Sequence, residues 1–415
     1  MKKFLIFFIW FLSLILISLY VHENPEFIEK IKEKFKDDRI IVFEPEEGNI
    51  ERSLGNSFIL EFSEAISFSG RTSFIIHDEK FLNFDKNNLI IYFQNGNFLK
   101  NLKIKKIDLP KNFTRIRNGG IKTVFIYKDK QFALLSSLYK GCFYASIVLI
   151  DIKKEIFKTK CLPTKKIDYN GLGSSHIHHG EKIILSIGTP EQASSAIRKL
   201  AQDKISFFGK IIEIDKKELD KVIEGSKNEI APTIYTMGHR NPQGITKIED
   251  SFFSVEHGPK GGDELNKIIK DKNYGWPKVS YGTQYVYDEG GESYEINHET
   301  NLFEEPLFAL VPSVGISAVN VCPSRLINYY KKPCLIALSL YGNKLRAGRS
   351  IIIYLLNEKL DKVHSVEQIH LRDYLKLRHF VTNKKNELYE DKEGNIYISA
   401  DKKGIYKLSF VHFRN

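Results

Sequence analysis

The sequence has little of what would mark a metal-stapled, disordered or nucleic-acid-binding chain. Only four cysteines occur in 415 residues, and none stands at the short spacing of a zinc or iron–sulfur centre. Lysine and arginine exceed aspartate and glutamate by 62 to 51, a formal charge of +11. No basic block gathers that excess, because the lysines are interleaved with acids along the whole length. Nucleic acid is therefore excluded as a partner, and the charge reads as a solvated, lysine-rich surface. A hydrophobic content of 42% excludes general disorder and supplies a core for one large domain or two smaller ones.

Phe4 to Val21, FLIFFIWFLSLILISLYV, lacks charge, glycine and proline, and no small-residue cleavage site follows it. Its 18 residues can cross a bilayer core at about 1.5 Å per residue. Residues 1–21 are therefore expected to be an uncleaved signal anchor, a single transmembrane helix. Residues 22–39 follow as a short amphipathic stalk, with Phe27, Ile31 and Phe35 at helical spacing. Lys2 and Lys3 face Lys30, Lys32, Lys34, Lys36 and Arg39, so counting positive charge alone would leave the body in the cytoplasm.

The cysteines point the other way. Cys142 and Cys161 fall on neighbouring β-type runs, and Cys322 and Cys334 make a second local pair. Two disulfides in an oxidising compartment account for all four, and four buried free thiols are the alternative.

From Ile40 onward, short runs such as IIVF, SFILEF, TSFIIH, NLIIYF and TVFIYK recur about every ten residues, separated by Gly, Asn, Asp and Glu. That rhythm belongs to an all-β sandwich or propeller. Residues 40–110 are either an extra β-domain or a divergent first blade.

The densest cluster of glycines, turn formers and polar side chains is Gly238 to Pro277. Its middle, ITKIEDSFFSVEH, alternates apolar and polar residues about Glu249-Asp250 and reads as a hairpin. GHRNPQG enters that hairpin and GPKGGDELN leaves it, so both polar segments lie at one end of two paired strands. Loops held by a rigid sheet are where sites are built. Gly258-Pro259 can turn carbonyl oxygens toward a hard cation, with the carboxylates of Asp263 and Glu264 nearby. The alternative is a capped turn cluster in which Arg240 and Glu264 form an internal ion pair.

GHRNPQG, EHGPKGGDELN and KNYGWP, in this order and spacing, resemble the signature of the glucose/sorbosone dehydrogenase family, and a weaker likeness runs from about Gly171 to the C-terminus. The resemblance implies a six-bladed β-propeller over residues 111–415. It implies calcium and pyrroloquinoline quinone in the top of the central channel, with work outside the cytoplasmic membrane. It implies cofactor contacts from Arg240, Asn241 and Gln243, and calcium ligation by the carbonyls of Gly258 and Pro259.

Elsewhere the pattern is substituted. The family's catalytic histidine falls at or beside Gly171, so His176, with His178 and His179 close by, is the candidate replacement base; a plain strand or loop histidine and a metal ligand of the His-x-His-His run are the alternatives. Thr189 replaces the acid of a Gly-Asp step. Tyr341 takes the slot of a quinone-contacting lysine, with Lys344 three residues on, and Lys376 and Arg378 match a basic pair of the last blade. The expected function is a membrane-anchored enzyme in the inner membrane, with its bulk in the periplasm. It would oxidise an aldose or polyol and pass electrons to a quinone pool or small acceptor. The alternative is a catalytically degenerate, calcium-binding propeller that holds a glycan or protein partner.

Overall fold

The computed structural model of the chain describes residues 42–43, 50–54, 58–68, 72–78, 80–85, 89–94, 103–115, 119–164, 172–190, 195–283, 298, 302–341, 348–371 and 375–412. The expected anchor, the stalk and Lys344 lie outside these residues. Among the described residues, no helix is long and apolar enough to cross a membrane.

Among the described residues, the alternating runs form six antiparallel sheets. Five are meanders in chain order, beginning with Thr72–Asp78, Ile121–Tyr127, His176–His179, Pro242–Ile248 and Ile316–Val321. The sixth combines Leu377–Phe380, Ile396–Ala400 and Gly404–His412 with Phe58–Phe68, paired from Gly404↔Ser67 to His412↔Phe58. Strands far apart in sequence thus close one sheet, which joins the two ends of the described chain. The described strands of 40–110 divide between two sheets: Val42–Phe43, Ile50–Leu54 and Phe58–Phe68 join this closing sheet, and those from Thr72–Asp78 to Lys103–Lys106 make the whole of the first.

First strands of successive sheets touch one another round a ring, and Thr123 Oγ1 lies 3.2 Å from His176 Nδ1 where the second sheet meets the third. The architecture is an all-β propeller of six sheets. Its cores lie between neighbouring sheets, which is why most strands are apolar on both faces. Phe125, Phe132 and Phe143 of the second sheet meet Leu185, Ile187 and Ile212 of the third. Phe253 and Val255 meet Leu335, Ile352 and Tyr354 between the fourth and fifth. Burying each large side chain contributes about 1.5–3 kcal/mol, so the wedges between blades hold the ring together.

At the far end of the channel, Asn386 of the 383–390 turn bonds to neighbouring sheets. Asn386 donates to the His176 carbonyl at 2.6 Å, and its own carbonyl accepts from Asn320 Nδ2 at 3.0 Å. Cys142–Cys161 and Cys322–Cys334 are both bonded, each with Cα atoms 5.3 Å apart.

Candidate functional site

The hairpin expected around Glu249-Asp250 is present as Pro242–Ile248 paired with Ser251–Glu256, and Pro242↔Glu256 closes its far end. Turn 238–241 and loop 257–262 therefore meet at the end of the ring where the first strands begin. Glycine is required at two of these positions. A side chain at Gly258 would place its Cβ 2.1 Å from the Gly262 carbonyl oxygen, and one at Gly173 would come within 2.6 Å of Asn241 Oδ1.

Glu256 anchors the turn. Its buried carboxylate accepts from the Arg240 amide at 2.8 Å and Asn266 Nδ2 at 3.0 Å, and His239 Nδ1 lies 3.1 Å away. Because a carboxylate only accepts, His239 carries a proton on Nδ1, and its Nε2 lies 2.8 Å from Thr236 Oγ1. With its backbone so fixed, Arg240 donates Nη1 to the His257 carbonyl at 3.0 Å, and its guanidinium stands 5.4 Å from the Trp276 ring centre. Asn241 Oδ1 accepts from the Gly173 amide at 2.6 Å and from Gln243 Nε2 at 2.9 Å. Arg240, Asn241 and Gln243 thus form one cluster.

Asp263 and Glu264 have work other than the cation ligation expected of them. Asp263 Oδ1 accepts from the Gly258 amide at 3.1 Å, and Oδ2 accepts from the amides of Val314, Gly315 and Ile316 at 3.0, 2.6 and 3.0 Å. Four backbone donors saturate this carboxylate, which clamps the 257–262 loop to the entry of the fifth blade. Burial, with the Glu256 charge beside it, drives the Glu264 carboxyl well above the usual carboxylate range. Glu264 accepts from Asn266 Nδ2 at 3.2 Å, and among the described residues it makes no ion pair with Arg240. Among the described residues no donor reaches the carbonyl oxygens of Gly258 or Pro259. No cluster of three His, Cys, Asp or Glu side chains suited to a metal occurs among them either. A cation here would rest on carbonyls.

His176 is not part of this cluster. Its ring is fully buried, 5.7 Å from the Phe125 ring centre and bonded to Thr123 across the blade junction. It stands three residues beyond Gly173 on an extended strand, about 10 Å along the channel wall. Burial, helped by neighbouring His178, holds its pKa well below the ordinary imidazole value. The imidazole that does adjoin the cluster is His257. Its Nδ1 lies 3.4 Å from Asn241 Nδ2, and its Nε2 is buried with no hydrogen-bond partner among the described residues. Burial lowers its pKa, with the Asp263 charge opposing and those of Arg240 and Arg378 assisting.

Arg378 forms a two-pronged ion pair with Asp401 inside the sixth blade, and the Lys376 ammonium lies 5.3 Å from the centre of the half-exposed Tyr341 ring. Thr189 Oγ1 donates to the Arg240 carbonyl at 2.8 Å, bracing the turn where an acid was expected. A cavity of about 400 Å³ opens at the opposite end of the channel, lined by Thr246, Lys247, Asn320, Asn386 and Glu387 among others. It shares no residue with the Arg240 cluster.

Such a ring, with Arg240, Asn241 and Gln243 gathered where the first strands begin, defines an all-β propeller with a candidate site at one end. The chain belongs to the glucose/sorbosone dehydrogenase family, whose sequence profile matches residues 150–405. Over 92 residues it is 38% identical to the aldose sugar dehydrogenase YliI of Escherichia coli, a stretch covering 21% of this chain and 25% of that protein. Over 80 residues it is 36% identical to the quinoprotein glucose dehydrogenase B of Acinetobacter calcoaceticus, covering 19% and 17%. The aligned stretches thus span about a quarter or less of these relatives. In fold, the chain is similar to the soluble aldose sugar dehydrogenase of Escherichia coli in its apo form, with a TM-score of 0.57 and 19% identity over 89% of this chain and 99% of that one. It is also similar to the PQQ-bound aldose sugar dehydrogenase of Streptomyces coelicolor, at 0.52 and 15% over 90% and 98%.

Proposed function

We propose that this protein is a sugar dehydrogenase that oxidises an aldose or related polyol, using pyrroloquinoline quinone and calcium held at the Arg240 cluster. Its bulk would stand in the periplasm, tethered to the inner membrane by Phe4–Val21, and its electrons would pass to a quinone pool or small acceptor. One observation carries the reading: the undonated carbonyls of Gly258 and Pro259 share a mouth with Arg240, Asn241 and Gln243. Those carbonyls fit a hard cation, and the guanidinium and amides fit an anionic, carbonyl-rich planar ligand. When bound, the quinone supplies the two-electron acceptor and calcium the charge that polarises it.

The chain's own residues orient and enclose. Asp263 holds the carbonyl loop, Glu256 holds the arginine turn, and Tyr341 offers an exposed ring face at the rim on which a sugar can stack. His257, kept neutral by burial, is the imidazole beside Asn241.

A second reading, the non-catalytic calcium-binding propeller, is favoured by the burial of His176 between two blades. Isothermal titration of the purified protein with pyrroloquinoline quinone, with and without calcium, separates the two. Calcium-dependent binding at one quinone per chain, lost in Arg240→Ala, supports the dehydrogenase; its absence supports the scaffold.

A further inference from the structure

Lys210 begins the third strand of the third blade, Lys210–Asp215. Its side chain is fully buried, and no carboxylate lies within ion-pair distance of it among the described residues. Instead its ammonium donates to three backbone carbonyls: Leu200 at 2.9 Å, Ala201 at 2.8 Å and Phe208 at 3.0 Å. An ammonium has three N–H groups, and all three are used. The caged carbonyls belong to the loop on which turn 238–241 rests. The Ala201 carbonyl also accepts the Gly238 amide at 3.0 Å, and the Gly209 carbonyl accepts the His239 amide at 3.1 Å. From the same loop, Gln202 Nε2 donates to the Trp276 carbonyl at 2.7 Å, under the ring that faces Arg240. Packing is too close for the loop to slide, since a Cβ on Gly209 would lie 2.6 Å from both Ala201 Cβ and the His239 carbonyl oxygen.

We propose that Lys210 is a positioning residue, whose charged ammonium ties the 195–209 loop into the platform that holds Arg240 and Asn241 for their ligand. Loss of its proton removes one of three donors and turns a lone pair toward a carbonyl, so the platform slackens in alkaline solution. Burial pulls this ammonium down to about 7, with the Asp203 charge opposing. Arg198, Lys199, Asp203 and Lys204 of the same loop, Glu213 and Asp215 of its own strand, and His239, Arg240 and Glu256 at the neighbouring turn are the other ionisable groups on these elements. Within this set, Lys210 is the group whose deprotonation breaks contacts to the loop backbone.

The test needs neither quinone nor sugar, so it stands apart from the proposed activity. The chain contains two tryptophans, Trp10 and Trp276. Full-length protein carrying Trp10→Phe therefore reports emission from Trp276 alone. A shift in that emission centred near pH 7 is expected, with unchanged far-ultraviolet circular dichroism, and Lys210→Met should abolish it. A flat profile in the parent, or the same transition in Lys210→Met, overturns the proposal. Should Lys210→Met fail to fold, hydrogen exchange on the unsubstituted protein decides. Protection of the Gly238 and His239 amides, corrected for intrinsic rate, should fall at least tenfold across the transition. Protection that holds to pH 10 refutes the role.

Discussion

Replacing Asp263 tests whether its carboxylate is a loop clamp or a cation ligand. Its two oxygens accept four backbone amides, from Gly258, Val314, Gly315 and Ile316, at 1% exposure. Hydrogen bonds to a charged group contribute about 1.5–3 kcal/mol each, and each buried donor left without an acceptor costs about 1–3 kcal/mol. Asp263→Ala is therefore expected to lose at least about 5 kcal/mol, much of the ~5–15 kcal/mol that holds a typical domain folded. Asp263→Asn keeps an oxygen for the Val314–Ile316 amides but turns an NH2 group toward the Gly258 amide, and is expected to lose about 2–4 kcal/mol. Urea unfolding followed by circular dichroism, in calcium-free buffer, measures both. A change below about 0.5 kcal/mol in Asp263→Asn without calcium, together with a large one in its presence, would refute the clamp and restore the ligand role.

Three further outcomes follow from the same structure. Alkylation of the unreduced, unfolded protein should find no free thiol; the bonds close separations of 19 and 12 residues, and removing either should cost about 3 kcal/mol. Stability should fall on acidification below the ordinary histidine value, because burial lowers His178 to about 4 and His379 to about 3, and holds His176 well below its ordinary value. In that window the unfolded chain binds protons that the folded one refuses, giving a slope of up to about 4 kcal/mol per pH unit, and a flat profile from pH 6.5 to 4.5 would contradict this. N-terminal sequencing of protein from the membrane fraction should begin at or near Met1, whereas a start beyond about residue 20 would make the apolar run a cleaved signal.

What could be read from the sequence was local. Glu249-Asp250 between alternating strands, the glycines of GHRNPQG and GPKGGDELN, and the two near-neighbour cysteine pairs carry their geometry in adjacent residues. The structure shows the hairpin, the convergence of Arg240, Asn241 and Gln243, and both disulfides. Facing and partnership across blades were not readable. His176 is buried because Phe125 and Thr123 of another sheet cover it. Asp263 is saturated by amides of which three lie some fifty residues away, and the Glu264 carboxyl is raised by burial, with the Glu256 charge adding to it. Lys210 and Glu256 were missed, although each is a charged residue at the end of an apolar strand run, which is the signal that could have found them. The destination of residues 40–110 depended on a strand pairing over more than three hundred residues, between Phe58–Phe68 and Gly404–His412.

The central claim is that this mouth oxidises a sugar with a bound quinone. Its most direct test is the absorption spectrum of the protein loaded with calcium and pyrroloquinoline quinone, recorded before and after an aldose is added without any external acceptor. Conversion of the bound quinone to its reduced spectrum within one turnover, absent in Arg240→Ala, is the predicted result. A quinone that binds stoichiometrically and stays oxidised through a panel of aldoses and polyols would contradict the account.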